Sequence, residues 1–221
     1  MRDFTLAEIK AICDAATLPL GVPFIDSRLD EYAIKYNGNY PYYSAFRDLV
    51  KALKPSVVLE VGTWEGTSAA AFAAGDPDCQ VITIDHHSDP GDDFNQKRTL
   101  EAHKEYPNIS YFQGCSTELV LAEKPGSNFV LPDILEFLNG RTIDVTYIDG
   151  WHMANMAKAD FDTYLPYMSP NGLVIWDDIY GGDCATIGGM LDLWNSLPYE
   201  KWLCSSLHGG YPQGFMKLGG K

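Results

Sequence analysis

Val57-Val58-Leu59-Glu60-Val61-Gly62-Thr63-Trp64-Glu65-Gly66 is the stretch on which the reading of this chain turns. A short β-branched run interrupted by one acid reads as a buried strand, expected over about 56–61. Gly62 and Gly66 follow at the point where that strand must turn into a helix. Glycines at such a turn let the backbone pass close to a ligand and tighten strand–helix packing. The Ala-rich segment from Thr67 supplies the helix.

Three more apolar runs end in an acid: Val81-Ile82-Thr83-Ile84-Asp85, Ile143 to Asp149, and Leu173-Val174-Ile175-Trp176-Asp177-Asp178. Between them the pattern alternates strand and helix. Helices are expected near Phe94–Glu105, 116–123, 131–139, 153–168 and Thr186–Leu197, and a further strand at Ile109–Gln113. Strands are placed at about 80–85, 143–148 and 173–177. Two last strands, Trp202–Leu207 and Gly214–Leu218, flank the turn-rich His208-Gly209-Gly210-Tyr211-Pro212 and suit an antiparallel hairpin. The fold class is therefore α/β, Rossmann-like, with five parallel strands ending in an antiparallel pair. In such a sheet, ligands bind outside the carboxyl ends of the strands, so the strand-end carboxylates should line one rim.

Upstream, Thr5 with Glu8 forms a capping-box pattern for a helix reaching about Ala16. Residues 18–39, rich in Pro, Gly and Asn, are expected to wander over the surface. A helix near Tyr42–Leu53 carries Phe46, Leu49, Val50 and Leu53 on one face. Tyr40, Tyr42, Tyr43 and Phe46 suit either a lid over the site or an amphipathic face packed on the sheet edge. The expected organisation is a single globular domain, in which helices and a lid-like segment (1–54) pack on a catalytic core (55–221).

The formal charge of -14 argues against a nucleic-acid partner, since phosphate binding needs clustered Lys and Arg. Met1-Arg2-Asp3-Phe4-Thr5 lacks the apolar region of a signal peptide, and no stretch approaches a membrane span. The five cysteines are scattered and never in CxxC spacing, which fits reduced thiols and a cytoplasmic location without membrane contact. Aromatic residues in 32–46 make a homodimer or larger assembly an expectation.

The spacing Gly62-Thr63-Trp64-Glu65-Gly66 is not the GxGxxG of a dinucleotide site, which disfavours nicotinamide chemistry. The ExGxxxG loop, an acid ending the next strand (Asp85) and the terminal hairpin together resemble the class I S-adenosylmethionine-dependent methyltransferases. The resemblance covers roughly 55–218. It implies that Gly62, Thr63 and Gly66 line the methionine part of S-adenosylmethionine and that Asp85 binds the ribose. It also implies that His86 and the Cys115-Ser116 segment lie beside the adenine, and that Glu60 orders the loop or receives the ammonium.

Asp149-Gly150-Trp151-His152 follows one expected strand and Asp177-Asp178 the next. If those strands are neighbours, three carboxylates converge and repel unless a cation sits among them or some are protonated. Oxygen ligands of this kind suit Mg²⁺, Ca²⁺ or Mn²⁺. The pattern is similar to that of the divalent-metal-dependent O-methyltransferases, including those acting on catechols, small molecules and macrolide sugars. That resemblance implies a metal held by Asp149, Asp177 and Asp178, with Asp149 also facing the cofactor. It implies His152 as general base and a small hydroxylated molecule as methyl acceptor. Trp151 and Trp176 suit either the walls of the acceptor pocket or the core. Two other functions are consistent with the same residues: a metal-independent methyltransferase with another acceptor, such as a nitrogen, and a cofactor-binding module without catalysis. A second cluster, His86-His87-Ser88-Asp89 with Asp92-Asp93, has metal-binding residue types but no compact spacing.

Overall fold

The computed structural model describes residues 1–17, 20–36, 42–86, 92–179, 189–204 and 212–219. Helices α1 (Leu6–Ala15), α2 (Pro23–Tyr36) and α3 (Tyr42–Leu53) precede the first strand. Then come β1 (Val57–Val61), α4 (Thr67–Gly75), β2 (Gln80–Asp85), α5 (Asp92–Glu105) and β3 (Ile109–Gln113). α6 (Glu118–Glu123), α7 (Leu131–Leu138), β4 (Ile143–Ile148) and α8 (Ala154–Tyr164) follow. The chain closes with β5 (Met168–Trp176), α9 (Met190–Ser196), β6 (Glu200–Cys204) and β7 (Gln213–Lys217).

The seven strands lie in the order β3-β2-β1-β4-β5-β7-β6. β1 to β5 are parallel, and β7 runs antiparallel to both β5 and β6. This is the mostly parallel sheet with a terminal antiparallel pair that the strand pattern predicts. Because the chain winds out from β1 to β3 and returns to β4, the order reverses between β1 and β4. Connections leave those two strands in opposite directions, which opens a crevice at their carboxyl ends.

Side chains alternate across the sheet into two cores. Val58, Val81, Val145, Leu173 and Ile175 face α1, α3 and α4, while Leu59, Ile82, Val174 and Trp176 face α7, α8 and α9. On the first side Phe46 of α3 stacks on Phe72 of α4 at 4.5 Å and meets Tyr147 of β4 edge-on at 4.9 Å. Thr5 caps α1 with both bonds of its capping box in place. Among the described residues no helix is long and apolar enough to cross a membrane.

Four expectations need correction. The segment 18–39 does not merely wander, because Pro23–Tyr36 is a helix. Pro23 at its first position needs no N–H partner there, so proline starts this helix instead of breaking it. Asp26 in the first turn accepts from the backbone N–H of Leu20 (2.7 Å) and of Val22 (3.0 Å), which folds the approach onto the helix. The helix expected over 153–168 stops at Tyr164, followed by a 3-10 turn at Leu165–Tyr167 that contains Pro166. β5 then starts at Met168 rather than 173, through an exposed Pro170-Asn171 that has the look of a loop. The two last strands are each displaced: β6 begins at Glu200, and β7 begins one residue early, at Gln213. The turn 208–211, Tyr40, the loop 87–91 and the start of the helix at 186–188 lie outside the described residues. So do residues 37–41 of the aromatic 32–46 segment on which the oligomer expectation rests.

Candidate active site

The backbone ladder continues one residue past the strands and sets the rim. Gly62 N–H donates to Ile84 O (2.9 Å), Asp149 N–H to Val61 O (2.9 Å) and Asp177 N–H to Ile148 O (3.0 Å). Gly62, Asp149 and Asp177 are thereby lined up along the carboxyl edge of β1, β4 and β5. A cavity of about 490 Å³ opens over this edge, within the range of small-molecule sites. Thr63, Asp85, His86, Ser116, Asp149, His152 and Asp177 line it, together with Tyr42 and Tyr43 of α3.

On the β1 side, Gly62 has φ +92, and a Cβ there would fall 2.0 Å from the carbonyl oxygen of Asp149. The close approach that demands glycine is thus with the neighbouring strand end. Gly66, also left-handed at φ +73, precedes the first turn of α4. Between them Trp64 holds a left-handed φ of 45 without being glycine and is 44 % exposed at the cavity mouth. Backbone strain of this kind clusters at ligand sites. Asp85 Oδ2 accepts from the N–H of Thr63 (3.0 Å) and of Trp64 (2.8 Å), so this acid shapes the loop while facing the cavity.

Glu60 lies beneath the loop, wholly buried and outside the cavity lining. Thr83 Oγ1 donates to Glu60 Oε2 (2.5 Å) and pairs with Thr63 Oγ1 (2.5 Å), which ties the acid to the loop through one threonine. Burial pushes the Glu60 carboxyl up to about 8, against the lowering effect of Ser68 and Thr83.

On the β4 side, Asp149, His152 and Asp177 each offer a donor atom within 4.8 Å of the others, a grouping able to hold a metal ion. His152 Nε2 lies 3.2 Å from Asp149 Oδ1, and His152 Nδ1 lies 2.8 Å from Asp178 Oδ2. Asp178, with φ 49, therefore serves the histidine and is not one of the three clustered groups. Burial lowers the pKa of His152, but Asp149 and Asp178 outweigh it and push it up to about 12. Asp177 is held well above the usual carboxylate range, first by burial and then by the charge of Asp149. Three acids and one histidine thus share too few positive charges, and the donor set fits a hard divalent cation.

Sequence reasoning missed three residues here. Gln213 of β7 is wholly buried and donates from Nε2 to Asp177 Oδ1. It belongs to no motif, and only the register of β7 against β5 brings it in. Asp160 of α8 lines the cavity and accepts from the Ser116 hydroxyl at 2.6 Å. Its signal was an acid on the apolar face formed by Met156, Ala157, Phe161 and Tyr164. Lys124 also lines the cavity, 5.7 Å from the centre of the Trp151 ring. Trp151 is 41 % exposed and faces the cavity, whereas Trp176 is core, packed on Phe161 and Trp194. Of the second histidine–aspartate cluster, only His86 of the loop's first half is described. Among the described residues it joins no metal-type grouping.

A family model described as a methyltransferase domain matches residues 59–179. The chain belongs to this methyltransferase family. The match runs from β1 to just past β5 and so contains the glycine loop, Asp85, Asp149, His152 and Asp177. One curated relative, the uncharacterised protein y4gI of Sinorhizobium fredii, is 26% identical over 140 residues. That match covers 59% of this chain, and the chain spans 14% of the relative's length.

Solved structures share the fold of this chain along almost its whole length. An O-methyltransferase of Bacillus cereus in complex with SAH has a TM-score of 0.61 at 16% identity, covering 96% of this chain and 97% of that one. TomG of Streptomyces achromogenes, an O-methyltransferase of tomaymycin synthesis in complex with SAM, gives 0.60 at 14%, covering 98% and 97%. The SAH-bound methyltransferase PaMTH1 of Podospora anserina gives 0.59 at 18%, covering 97% of each chain.

Proposed function

We propose that this chain transfers a methyl group from S-adenosylmethionine to a hydroxyl of a small molecule, with a divalent cation held at Asp149 and Asp177. The observation that carries the proposal is the convergence of Asp149, His152 and Asp177 within 4.8 Å at the edge of the cavity. Ligands named for the structural neighbours, SAM and SAH, support the choice of methyl donor. The family match supports the reaction class.

In this reading the sulfonium of the donor supplies an already activated methyl group. The protein's task is then to align an acceptor oxygen with it and to remove one proton. Gly62, Thr63 and Gly66 shape the donor side of the cavity, with Asp85 at the ribose, His86 and Ser116 beside the adenine, and Glu60 beneath the loop. Tyr42, Tyr43 and Trp151 wall the acceptor side. A divalent ion at Asp149 and Asp177 would supply Lewis acidity that lowers the pKa of a hydroxyl bound to it.

His152 is the general base, oriented by Asp178 through Nδ1 with Nε2 facing Asp149. While both acids face it with their charge uncompensated, the imidazole is held protonated and has no lone pair to offer. Once the charge of Asp149 is compensated, that hold on the proton weakens and Nε2 becomes a proton acceptor. Cys13, Cys79 and Cys115 are buried thiols outside any disulfide, which supports placing the enzyme in the reducing cytoplasm.

The test is methyl transfer from radiolabelled S-adenosylmethionine to a panel of catechols and hydroxylated natural products. Activity should vanish with EDTA and return with Mg²⁺ or Mn²⁺. Transfer that continues in EDTA would overturn the metal half of the proposal, and transfer to amines alone would overturn the acceptor.

A further inference from the structure

We propose that Gln213 is a metal ligand, its amide oxygen completing with Asp149 and Asp177 the set of protein donors to the divalent cation. This rests on the metal-dependent reading above and replaces the Asp178 that the motif pattern suggested.

The placement follows from strand register. β7 pairs antiparallel with β5, and Trp176 stands opposite Gly214. One step further along each strand sets Gln213 opposite Asp177. The position is fixed by packing, since a Cβ on Gly214 would fall 2.8 Å from the Trp194 ring and 3.0 Å from Ile179 Cδ1. β7 is pressed onto Trp194 and Ile179 at this point, and the Gln213 side chain on its other face is wholly buried.

The side chain itself points to a missing partner. Gln213 is wholly buried, and its Nε2 donates to Asp177 Oδ1. Its Oε1 is buried with no hydrogen-bond partner. Buried amide oxygens are nearly always satisfied, so an orphan at the edge of an acid cluster calls for a ligand. The two ends of a glutamine amide are nearly the same size, one a donor and the other an acceptor. A half-turn about the broad terminal torsion exchanges them without moving the rest of the chain. With uncompensated carboxylates opposite, the NH₂ must face Asp177. With a cation among those carboxylates, the carbonyl oxygen takes its place, as a hard neutral ligand suited to Mg²⁺ or Mn²⁺. A neutral donor also avoids adding a further negative charge beside Asp149, Asp177 and Asp178. Asp178 meanwhile is engaged at 2.8 Å by His152 Nδ1.

Mn²⁺ serves as the probe, on the full-length protein without acceptor. Electron paramagnetic resonance gives the Kd, and water-proton relaxation gives the number of waters bound to the ion. Gln213→Leu should weaken Mn²⁺ binding by at least about tenfold, the lower bound for losing even an outer-shell partner. It should also add one inner-sphere water, a change that a merely orienting hydrogen bond to Asp177 would not produce. Gln213→Glu keeps an oxygen ligand and should bind Mn²⁺ as tightly as wild type or more so. If wild type binds Mn²⁺ and Gln213→Leu matches it in Kd and hydration, the ligand role is overturned while the metal reading stands. If wild type binds no Mn²⁺, both fall. Should Gln213→Leu fail to fold, weakened binding in Gln213→Glu overturns the ligand role by itself.

Discussion

His152 Nδ1 lies 2.8 Å from Asp178 Oδ2, so the histidine of the reaction side is clamped from the side away from Asp149. The clamp gives the chelated protein a particular pH dependence. The imidazole is raised from 6.5 to about 12, so its stabilising effect is full below 6.5 and is lost as pH rises toward 12. In EDTA, the urea midpoint of wild type should therefore fall between pH 7 and 10 more steeply than that of His152→Gln. Excess Mg²⁺ should shrink the difference, because a cation beside Asp149 removes the reason for His152 to stay charged. Parallel profiles for the two proteins in EDTA would show that the histidine is not held in this way.

The strand ends were legible because two local signals agreed there: β-branched runs fix a buried strand, and an acid after such a run has few places to be except the rim. Asp85, Asp149 and Asp177 were found in this way, whereas Glu60 lies within β1 and is buried beneath the loop instead of on the rim. The pairing of His152 with Asp178 was not legible, since it depends on the left-handed turn at Asp178, which no residue pattern announces. Gln213 was invisible for a related reason: its neighbour Asp177 is 36 residues away in sequence and is reached only through strand register. α2 was lost to composition, because Gly21 and Pro23 punctuate a loop and start a helix equally well.

Gly62 faces the backbone of Asp149 across the crevice. A methyl group there meets the carbonyl oxygen at 2.0 Å and must also hold φ +92, so neither term can be relieved by a rotamer change. Gly62→Ala should cost roughly 3 kcal/mol in urea unfolding, a size expected of combined steric and left-handed strain. S-adenosylmethionine affinity by calorimetry should fall as well, because the displaced element is the rim itself. A variant as stable as wild type would show that β1 and β4 ends can part freely.

Arg28 links α2 to the Gly62–Gly66 loop. It is buried, and its guanidinium donates to Glu65 O (2.5 Å) and Arg98 O (2.6 Å), lies 3.5 Å from Glu101 and stacks over Phe24 at 4.4 Å. Arg28→Met would leave two carbonyls without their donor and should cost about 3 kcal/mol. Glu65 belongs to the Gly62–Gly66 turn, so the KM for S-adenosylmethionine should rise while kcat at saturating donor changes little. Arg28→Lys should not restore the wild-type KM, because one ammonium cannot span both carbonyls as the planar fork does. An unchanged KM in both variants would separate α2 from the donor site.

Glu60 is an acid that folding holds out of water. Its carboxyl rises from 4.5 to about 8, chiefly by burial, and Oε1 has no hydrogen-bond partner. A raised carboxyl favours the fold below pH 4.5, and that advantage is lost as pH climbs through 8. Glu60→Gln removes the charge without changing the shape. It should leave stability nearly unchanged at pH 5 and raise it at pH 9 by on the order of 3 kcal/mol. The same residue predicts a proton count on donor binding. A cationic sulfonium and ammonium above the loop would favour the ionised carboxyl, so wild type should release protons when it binds S-adenosylmethionine at pH 7. Calorimetry in buffers of different ionisation enthalpy reads that release directly. Glu60→Gln should abolish it, and a variant that still releases the same number of protons would assign them to another group.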